Sequence, residues 1–339
     1  MKSFIEKVII REDLTFDEAY QVMHNIMNGD VNNAHLAGLL IALKAKGECA
    51  AEIAGFAKAM REKSIKVELS NKNVIDVCGT GGDDSGTFNI STAAAFVVAG
   101  AGVTVAKHGN KSISSRSGSA DVLTQMGVNI NLSPEATKSA LEEIGISFLF
   151  APQYHPAMKY AAVVRKELGM KTAFNLLGPL TNPAGTKRQL IGVYNNRSAK
   201  LLAEAANYLD MEHVCFICTG DKRDEITLDE PTLVYEYRSG VELTSFQLTN
   251  DSFGYAKVSI EELKGDTPEN NAQLLLSILE NKSTIAQREV VLANSALALY
   301  CAGVSTDLKQ CVSIAEESLG SGKAFQKYQL LKQFGEMLQ

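Results

Sequence analysis

Residues 74–92, V-I-D-V-C-G-T-G-G-D-D-S-G-T-F-N-I-S-T, constrain this chain more than any other stretch. An apolar, β-prone run (Val74, Ile75, Val77) enters it. Four glycines (Gly79, Gly81, Gly82, Gly86) and three acids (Asp76, Asp83, Asp84) fill its middle. Asn89, Ser91 and Thr92 leave it as a hydroxyl-rich helix start, followed by the small apolar helix Ala93–Ala99. The order is strand, glycine loop, helix. Glycine lacks a Cβ and tolerates φ > 0, so such a loop can bring backbone N–H groups against a phosphate. A helix N-terminus adds free donors and a partial positive charge. The spacing is not a Walker A loop, since no G-K-[ST] follows, nor is it G-x-G-x-x-G. Acids directly after the glycines repel a phosphate unless a cation or ribose hydroxyls intervene. Composition alone leaves a structural glycine turn open.

The whole chain, 339 residues with 45% of them apolar, has room for two domains or one large one with an appendage. With 33 basic against 39 acidic residues the net charge is −6, which gives no general attraction to nucleic acid. No apolar run reaches the roughly 18 residues a membrane span needs, and the N-terminus lacks a signal-peptide core. Cys215 and Cys218 form a C-x-x-C within an apolar run. On a strand, residues three apart face opposite ways, and no second pair completes a zinc set. Buried free thiols in a reducing compartment are the reading, hence a cytoplasmic protein with no membrane partner.

Residues 3–65 read as helical throughout, with no strand signal. Phe4, Ile5, Val8 and Ile9 make one face of a first helix. Thr15-Phe16-Asp17-Glu18 is a capping box for a second, closed by Gly29. Asn32 and Asn33 are caps for a third, Ala34–Lys46, and a fourth begins at Glu48 and runs to Lys63. From Asn73 the pattern changes to short apolar runs at 74–78, 103–107, 146–150, 189–194 and 213–218. Helices fall between them at 91–100, 119–127, 134–144, 156–167 and 198–209, the alternation of a parallel α/β sheet. Runs 232–238 and 241–248 flank Ser239-Gly240 as a hairpin. The acid-rich stretch 261–270 reads as a solvated loop, and 268–338 as helical again. Segment 171–183, K-T-A-F-N-L-L-G-P-L-T-N-P, breaks the alternation as a short apolar helix ended by Gly-Pro. The expected fold is α/β: a small all-helical domain over residues 1–70, joined by about 171–185, and a larger domain over 71–339 with a mostly parallel central sheet flanked by helices.

Three further stretches carry chemistry. Lys107-His108-Gly109-Asn110-Lys111-Ser112-Ile113-Ser114-Ser115 follows the second strand, at the sheet edge where open α/β folds bind ligands. Two lysines with amides and hydroxyls suit phosphates, and Ser117-Gly118-Ser119 opens another helix. Asp224-Glu225 follows a later strand, and adjacent carboxylates suit a hydrated Mg²⁺. Arg165, on the helix after His155-Pro156, can fork onto a carboxylate. Taken singly, the Lys107–Ser115 stretch leaves a solvated polar loop open, while an isolated Asp224-Glu225 pair or Arg165 is more often a surface charge. His108 and His155 have no nucleophile arrangement that makes either a general base.

Together these residues resemble the anthranilate phosphoribosyltransferases. D-V-C-G-T-G-G-D, T-F-N-I-S-T, K-H-G-N-K-S-I-S-S, S-G-S-A-D, F-A-P-Q-Y-H-P-A-M, F-N-L-L-G-P-L-T-N-P and D-E-I-T occur in that family's order over residues 74–227. Two departures stand out: Lys111 where arginine is common, and the charged Gly220-Asp221-Lys222-Arg223 before the acidic pair. The resemblance implies transfer of the 5-phosphoribosyl group of 5-phosphoribosyl 1-diphosphate (PRPP) to the amine of anthranilate, in tryptophan biosynthesis. It implies donor contacts by Gly79, Gly82, Asp83, Thr87, Asn89, Ile90, Ser91, Thr92, Lys107, His108, Gly109, Asn110, Lys111, Ser112, Ile113, Ser114, Ser115 and Ser119. It implies an anthranilate site of Gly79, Asn110 and Arg165, with His108 and Pro179 nearby. It implies Mg²⁺, two ions per subunit, placed by Ser91, Asp224 and Glu225, no acid–base residue, and a homodimer through the helical domain. Pyrimidine nucleoside phosphorylases share the fold, but K-H-G-N and F-N-L-L-G-P-L-T-N-P favour the transferase. A nucleic-acid-binding relative calls for a basic groove and a degraded glycine loop, whereas here the net charge is −6 and the loop is intact.

Overall fold

The structure, a computed structural model, describes residues 1–70, 73–83, 85–112 and 117–338. The chain opens with four helices: α1 (Lys2–Ile9), α2 (Phe16–Asn28), α3 (Asn33–Lys46) and α4 (Ala50–Lys63). Their ends follow local chemistry. Thr15 Oγ1 accepts from Glu18 N at 3.2 Å while Glu18 Oε2 accepts from Thr15 N at 2.8 Å, a reciprocal capping box. Gly29, at φ 82°, closes α2 in the left-handed region. The Asn32 side chain caps α3 through His35 N. Helix α4 starts two residues later than Glu48, because Glu52 turns back to the Cys49 and Leu14 N–H groups. Leu36, Leu39, Leu40 and Leu43 of α3 are buried in one core with Ile53, Phe56 and Met60 of α4; each leucine buried this way contributes about 2 kcal/mol. Along α1, Val8 is buried and Phe4 and Ile5 pack partly, but Ile9 is 64% exposed. Ile9 therefore lies at the exposed edge of the apolar face that these four residues make.

Seven strands follow: β1 (Val74–Gly79), β2 (Thr104–Gly109), β3 (Ile146–Phe150), β4 (Arg188–Gly192), β5 (His213–Thr219), β6 (Thr232–Arg238) and β7 (Thr244–Leu248). They form one sheet in the order β3-β2-β1-β4-β5-β6-β7. The first five strands in chain order pair in parallel, and β6 and β7 pair antiparallel as the expected hairpin. The intervening helices are α5 (Ile90–Gly100), α6 (Ser119–Gln125), α7 (Pro134–Glu143), α8 (Ala151–Tyr154), α9 (Lys159–Leu168), α10 (Phe174–Leu177) and α11 (Asn196–Ala206). The chain closes with α12 (Asn250–Phe253), α13 (Pro268–Leu279), α14 (Ile285–Cys301), α15 (Leu308–Gly320) and α16 (Lys323–Met337). The expected helix 156–167 is a 3₁₀ turn, Pro156–Met158, running into α9. Gly178-Pro179 ends α10 but continues as a further 3₁₀ turn to Thr181.

Each sheet face has its own large core, and a smaller cluster of Val67, Val74, Ala106, Leu141, Leu149 and Tyr154 lies apart from both. Helices α5, α13, α14, α15 and α16 cover one side. On the other, α11 and the helical bundle form a single core together with α9 and α10. Strand β5 shows the alternation: Cys215 and Ile217 enter the first core, Val214, Phe216 and Cys218 the second. All six cysteines are free thiols.

The expected solvated loop 261–270 is overturned. Residues Ile260–Leu263 form a 3₁₀ turn with Leu263 fully buried, and Pro268 already begins α13. Phe88 N donates to Leu263 O at 2.9 Å and Gly265 N to Gly86 O at 2.7 Å, so this segment straps the glycine loop. The acids dominate its composition, but the one apolar side chain and the free backbone groups decide where it lies.

Asp76 is also not a loop acid. It lies inside β1 with no exposure. Its carboxylate accepts from Asn182 Nδ2 at 2.8 Å, His108 N at 3.1 Å and Gln189 Nε2 at 3.4 Å. Burial raises its pKa, against the Asn182 hydrogen bond and the Lys107 charge. It therefore knots β1 to β2, β4 and the segment that crosses back from the helical domain. Asp76→Ala leaves several buried donors without an acceptor and is expected to destabilise the fold by about 3 kcal/mol or more. Urea unfolding measures this, with Asp76→Asn recovering part of the loss.

Candidate active site

Strands β1 and β4 end side by side at Gly79 and Gly192. The chain goes from β1 to one side of the sheet and returns past it to the other, so this is where strand order reverses and a crevice opens. A Cβ on Gly79 would stand 2.6 Å from Asp224 Oδ2, and one on Gly192 only 1.6 Å from the Asp224 carbonyl oxygen. Two side chains are missing at the strand ends, and the loop after β5 folds into that space. It carries Asp224 over the glycine loop, where Oδ2 accepts from Gly81 N at 2.8 Å. Gly81 and Gly82, at φ 64° and 69°, take the backbone conformation that this turn needs.

Glu225 reaches the start of α5, and its Oε1 accepts from Ser91 N at 3.1 Å. The other first-turn donors point to backbone: Ile90 N to Phe88 O, Thr92 N and Ala93 N to Asn89 O. The sequence predicts a free anion site at this helix N-terminus. In the structure a carboxylate of the chain itself already occupies it. Asp83 Oδ2 is buried with no hydrogen-bond partner. Burial raises the Asp224 carboxyl well above its usual range, with Asp83 and Glu225 adding repulsion, and burial pushes Glu225 up to about 7. A raised folded-state value means that the stability gained by the protonated acid holds at low pH and is lost as pH rises through about 7. At neutral pH this group of hard oxygens is strained by its own charge, and its donor set fits a hydrated divalent cation such as Mg²⁺.

Lys107 lies within β2 and is buried. Its ammonium donates to Val77 O at 2.6 Å and to Ser91 Oγ at 3.3 Å, linking β1, β2 and α5 beneath the acidic pair. Asn89 Nδ2 donates to Ser117 O at 3.1 Å. Ser119 Oγ donates to Asn110 O at 3.3 Å, and Asp121 accepts from Ser112 N and Gly118 N, both at 3.0 Å. Gly109 has no room for a Cβ beside Ser119 and Phe148. Lys111 and Asn110 are exposed. Thr87 bridges to Lys264 of the strap. Ile90 and Thr92 are buried at the start of α5, and Thr92 Oγ1 has no hydrogen-bond partner. Ile113, Ser114, Ser115 and Asp84 lie outside the described residues.

On the helical side, Arg165 of α9 lies over the Phe174 ring at 5.2 Å, and burial lowers its pKa. Its own contacts do not join it to Asn110 among the described residues. The His108 and His155 rings lie 5.2 Å apart, each with an unpartnered buried Nε2. Burial drives them down to about 3 and about 4, so both are neutral imidazoles near pH 7.

Several positioning residues escape sequence reasoning. Lys171 donates to the Gly82 carbonyl and lies 4.3 Å from the Tyr194 ring, tying the glycine loop to the crossing segment. Together with Tyr194, Arg197, Lys44 and Glu48 it lines a cavity of about 590 Å³ between the helical domain and the sheet. Asn271 of α13 donates to Asn89 Oδ1 at 3.2 Å. Buried Arg223 pairs with Asp229 and donates to Thr227 Oγ1 at 3.2 Å, so the charged departure at 220–223 closes the acidic loop on itself. Asn294 of α14 accepts from Ile226 N at 3.1 Å and donates to Ile226 O at 2.8 Å, gripping the residue after Glu225 by both backbone groups. Only a polar residue within the apolar run of α14 hints at this. Asn294→Leu is expected to lower stability by about 2–3 kcal/mol. It should also speed hydrogen exchange at Ile226 and Ser91 N–H relative to the β1 amides; unchanged exchange at Ser91 would show that the acidic pair does not depend on Asn294.

Known proteins resemble this chain in sequence and fold. Residues 71–325 match the family described as "Glycosyl transferase family, a/b domain", and residues 2–64 that described as "Glycosyl transferase family, helical bundle domain". The chain is 45% identical over 327 residues to the anthranilate phosphoribosyltransferase of a Thermoanaerobacter species, covering 96% of each. It is 46% identical over 325 residues to that of Clostridium kluyveri, again covering 96% of each. The crystal structure of the Thermus thermophilus enzyme superposes with a TM-score of 0.92 at 40% identity, over 98% of this chain and 99% of that one. The Saccharomyces cerevisiae enzyme in complex with PRPP and Mg superposes at 0.90 with 26% identity, over 99% of this chain and 98% of that one. With sequence, fold and both domains agreeing over nearly the whole length, the chain belongs to the anthranilate phosphoribosyltransferase family.

Proposed function

We propose that this chain transfers the 5-phosphoribosyl group of PRPP to the amine of anthranilate, giving N-(5-phosphoribosyl)anthranilate and pyrophosphate, in tryptophan biosynthesis. The observation that carries the reading is the acidic pair folded over a glycine loop where the strand order reverses. A diphosphate would need the Gly81 and Ser91 N–H groups, which Asp224 and Glu225 now hold. Donor binding therefore exchanges internal acceptors for the phosphates, while the freed carboxylates are those suited to a cation. Ser91, Asp224 and Glu225 would hold Mg²⁺, two ions per subunit. When bound it would supply positive charge to the departing diphosphate.

The remaining chemistry falls to the chain's own residues. Lys107, fixed by Val77 and Ser91, adds a charge that cannot swing away, and preorganised charge of this kind stabilises a leaving group at little reorganisation cost. The glycine loop, Asn89, Thr87 and the stretch Lys107–Ser115 with Ser119 would orient the donor, its strap and Asn271 holding them in register. Asn110, Gly79 and Arg165 would receive anthranilate, Arg165 engaging its carboxylate. An aryl amine is uncharged at neutral pH and needs no strong base. Burial lowers the pKa values of His108 and His155 to about 3 and about 4, which makes both weak bases and favours catalysis by positioning over proton abstraction.

We place the enzyme in the cytoplasm as a homodimer. The six free thiols support a reducing compartment, and no helix among the described residues is long and apolar enough to cross a membrane. Helix α3 packs on both α1 and α9, and Ile9, Ile10, Ile41 and Val163 on or beside these helices are exposed apolar side chains available to a second copy. Light scattering should return twice the 36.6 kDa chain mass, and a monomer mass would reject the dimer.

A fluorescence assay tests the activity. Anthranilate should be consumed only when PRPP and Mg²⁺ are both present; no consumption in the complete mixture would overturn the reading. In the same assay Arg165→Ala should raise KM for anthranilate about tenfold or more, a loss of ~1.4 kcal/mol, with KM for PRPP little changed. An unaltered KM for anthranilate would remove Arg165 from the acceptor site.

A further inference from the structure

The C-x-x-C of β5 does not act as a pair, because Cys218 enters the opposite core. Cys215 finds other company. His213 precedes it by two residues, so both side chains leave the same face of β5. Cys301, the last residue of α14, meets them there. One ring nitrogen of His213 and the sulfurs of Cys215 and Cys301 lie within 4.8 Å of one another, and all three residues are buried. None of them takes part in the site described above, which lies beyond the other end of β5.

The surroundings are those of a ligand set. His213 Nε2 lies 2.8 Å from Glu236 Oε1 on the neighbouring strand. Arg238 Nε donates to that same oxygen at 2.8 Å, and Arg238 Nη2 donates to Tyr300 Oη at 2.6 Å. The Tyr300 ring packs edge-on against His213, with centroids 5.2 Å apart. A carboxylate on one imidazole nitrogen is the usual support behind a metal-bound histidine: it fixes the ring and its tautomer and leaves the other nitrogen for the ion.

We propose that His213, Cys215 and Cys301 form a binding site for one thiophilic divalent cation of the zinc class, at the amino end of β5. Two sulfurs and a nitrogen select such an ion over Mg²⁺, which takes oxygens. Tetrahedral zinc, with bonds of about 2.3 Å to sulfur and about 2.0 Å to nitrogen, puts its ligand atoms roughly 3.5–3.8 Å apart. The three groups therefore need to draw in by about 1.3 Å at most. The charges balance: two thiols release their protons to solvent, and two thiolates neutralise one divalent ion, so no net charge is added to the core. Water or Glu236 completes the four ligands, and Arg238, partly exposed, marks the side open to solvent. The ion would staple β5 to α14, the two elements that also grip the acidic loop at its far end through Ile226 and Asn294.

The test uses the full-length protein, stripped of metal with a chelator and titrated with Co²⁺ as a spectroscopic probe, then with Zn²⁺. One equivalent of Co²⁺ per chain should give the intense near-ultraviolet band of thiolate-to-metal charge transfer. Zn²⁺ should abolish the band, and a large excess of Mg²⁺ should not. Saturating Zn²⁺ should raise Tm by about 5 °C. Cys301→Ser and Cys215→Ser should each lose most of the band, and Cys218→Ser should keep it. A wild-type protein with a native circular dichroism spectrum and no band at one equivalent would overturn the proposal without recourse to any variant. So would a band that survives Cys301→Ser or disappears in Cys218→Ser.

Discussion

A carboxylate with no exposure, Asp76, is the constraint on which the architecture of the cleft depends. Burying an acid is costly unless its oxygens are filled with donors, and two central strands together with one crossing segment supply them. His108 N comes from β2, Gln189 from β4, and Asn182 from the segment returning from the helical domain. Asn182 also donates to Ala106 O at 2.8 Å, and Gln189 to Pro179 O at 2.9 Å, so the donors are themselves pinned. The relative placement of the glycine loop, the Lys107-His108 edge and the Pro179 turn therefore follows from one buried group. Each of these carries part of the proposed site.

Above that knot, space and charge are arranged together. Gly79 and Gly192 leave a gap at the ends of adjacent strands, and the acidic loop fills it. A cluster of carboxylates held there raises its own pKa values and pushes against itself. Arg223 and Asn294 hold the loop in place against that repulsion from two sides, one by closing it with Asp229, the other by gripping the Ile226 backbone. Repulsion kept in position is free energy that a bound cation can release. Asp224 and Glu225 meanwhile cover the Gly81 and Ser91 N–H groups, while Asp83 Oδ2 and the Nε2 atoms of His108 and His155 stay without a hydrogen-bond partner.

The two domains meet at this same place. Helices α9 and α10 belong by packing to the helical bundle although they lie between sheet strands in the chain. Lys171, at the crossing, bonds the Gly82 carbonyl and faces Tyr194. Movement of the bundle against the sheet would therefore be felt directly by the glycine loop. The strap at 263–265 holds the opposite side of that loop through Gly86 and Phe88.

Local chemistry made much of this legible in the sequence. The capping box at Thr15, the Gly29 stop, the Asn32 cap, the five parallel runs and the hairpin all depend on neighbours within a few residues, and all form where the pattern places them. The glycine loop and Asp224-Glu225 were visible as residue types that suit phosphate and Mg²⁺. Groupings made by long-range contact were not. Asp76 reads as one loop acid among three, yet burial makes it the central knot. The 261–270 stretch reads as solvated because acids outnumber its one buried leucine. The start of α5 reads as a free anion site, because nothing local shows that Glu225, 134 residues on, caps it. Cys215 was correctly separated from Cys218 by strand alternation, but its closeness to Cys301 exists only once α14 packs on β5. The sequence by itself determined the elements, their order and the chemical types at the cleft, since propensity, caps and periodicity act along the chain. Only the tertiary structure decided which buried polar group meets which, because that depends on packing two cores onto the two faces of one sheet.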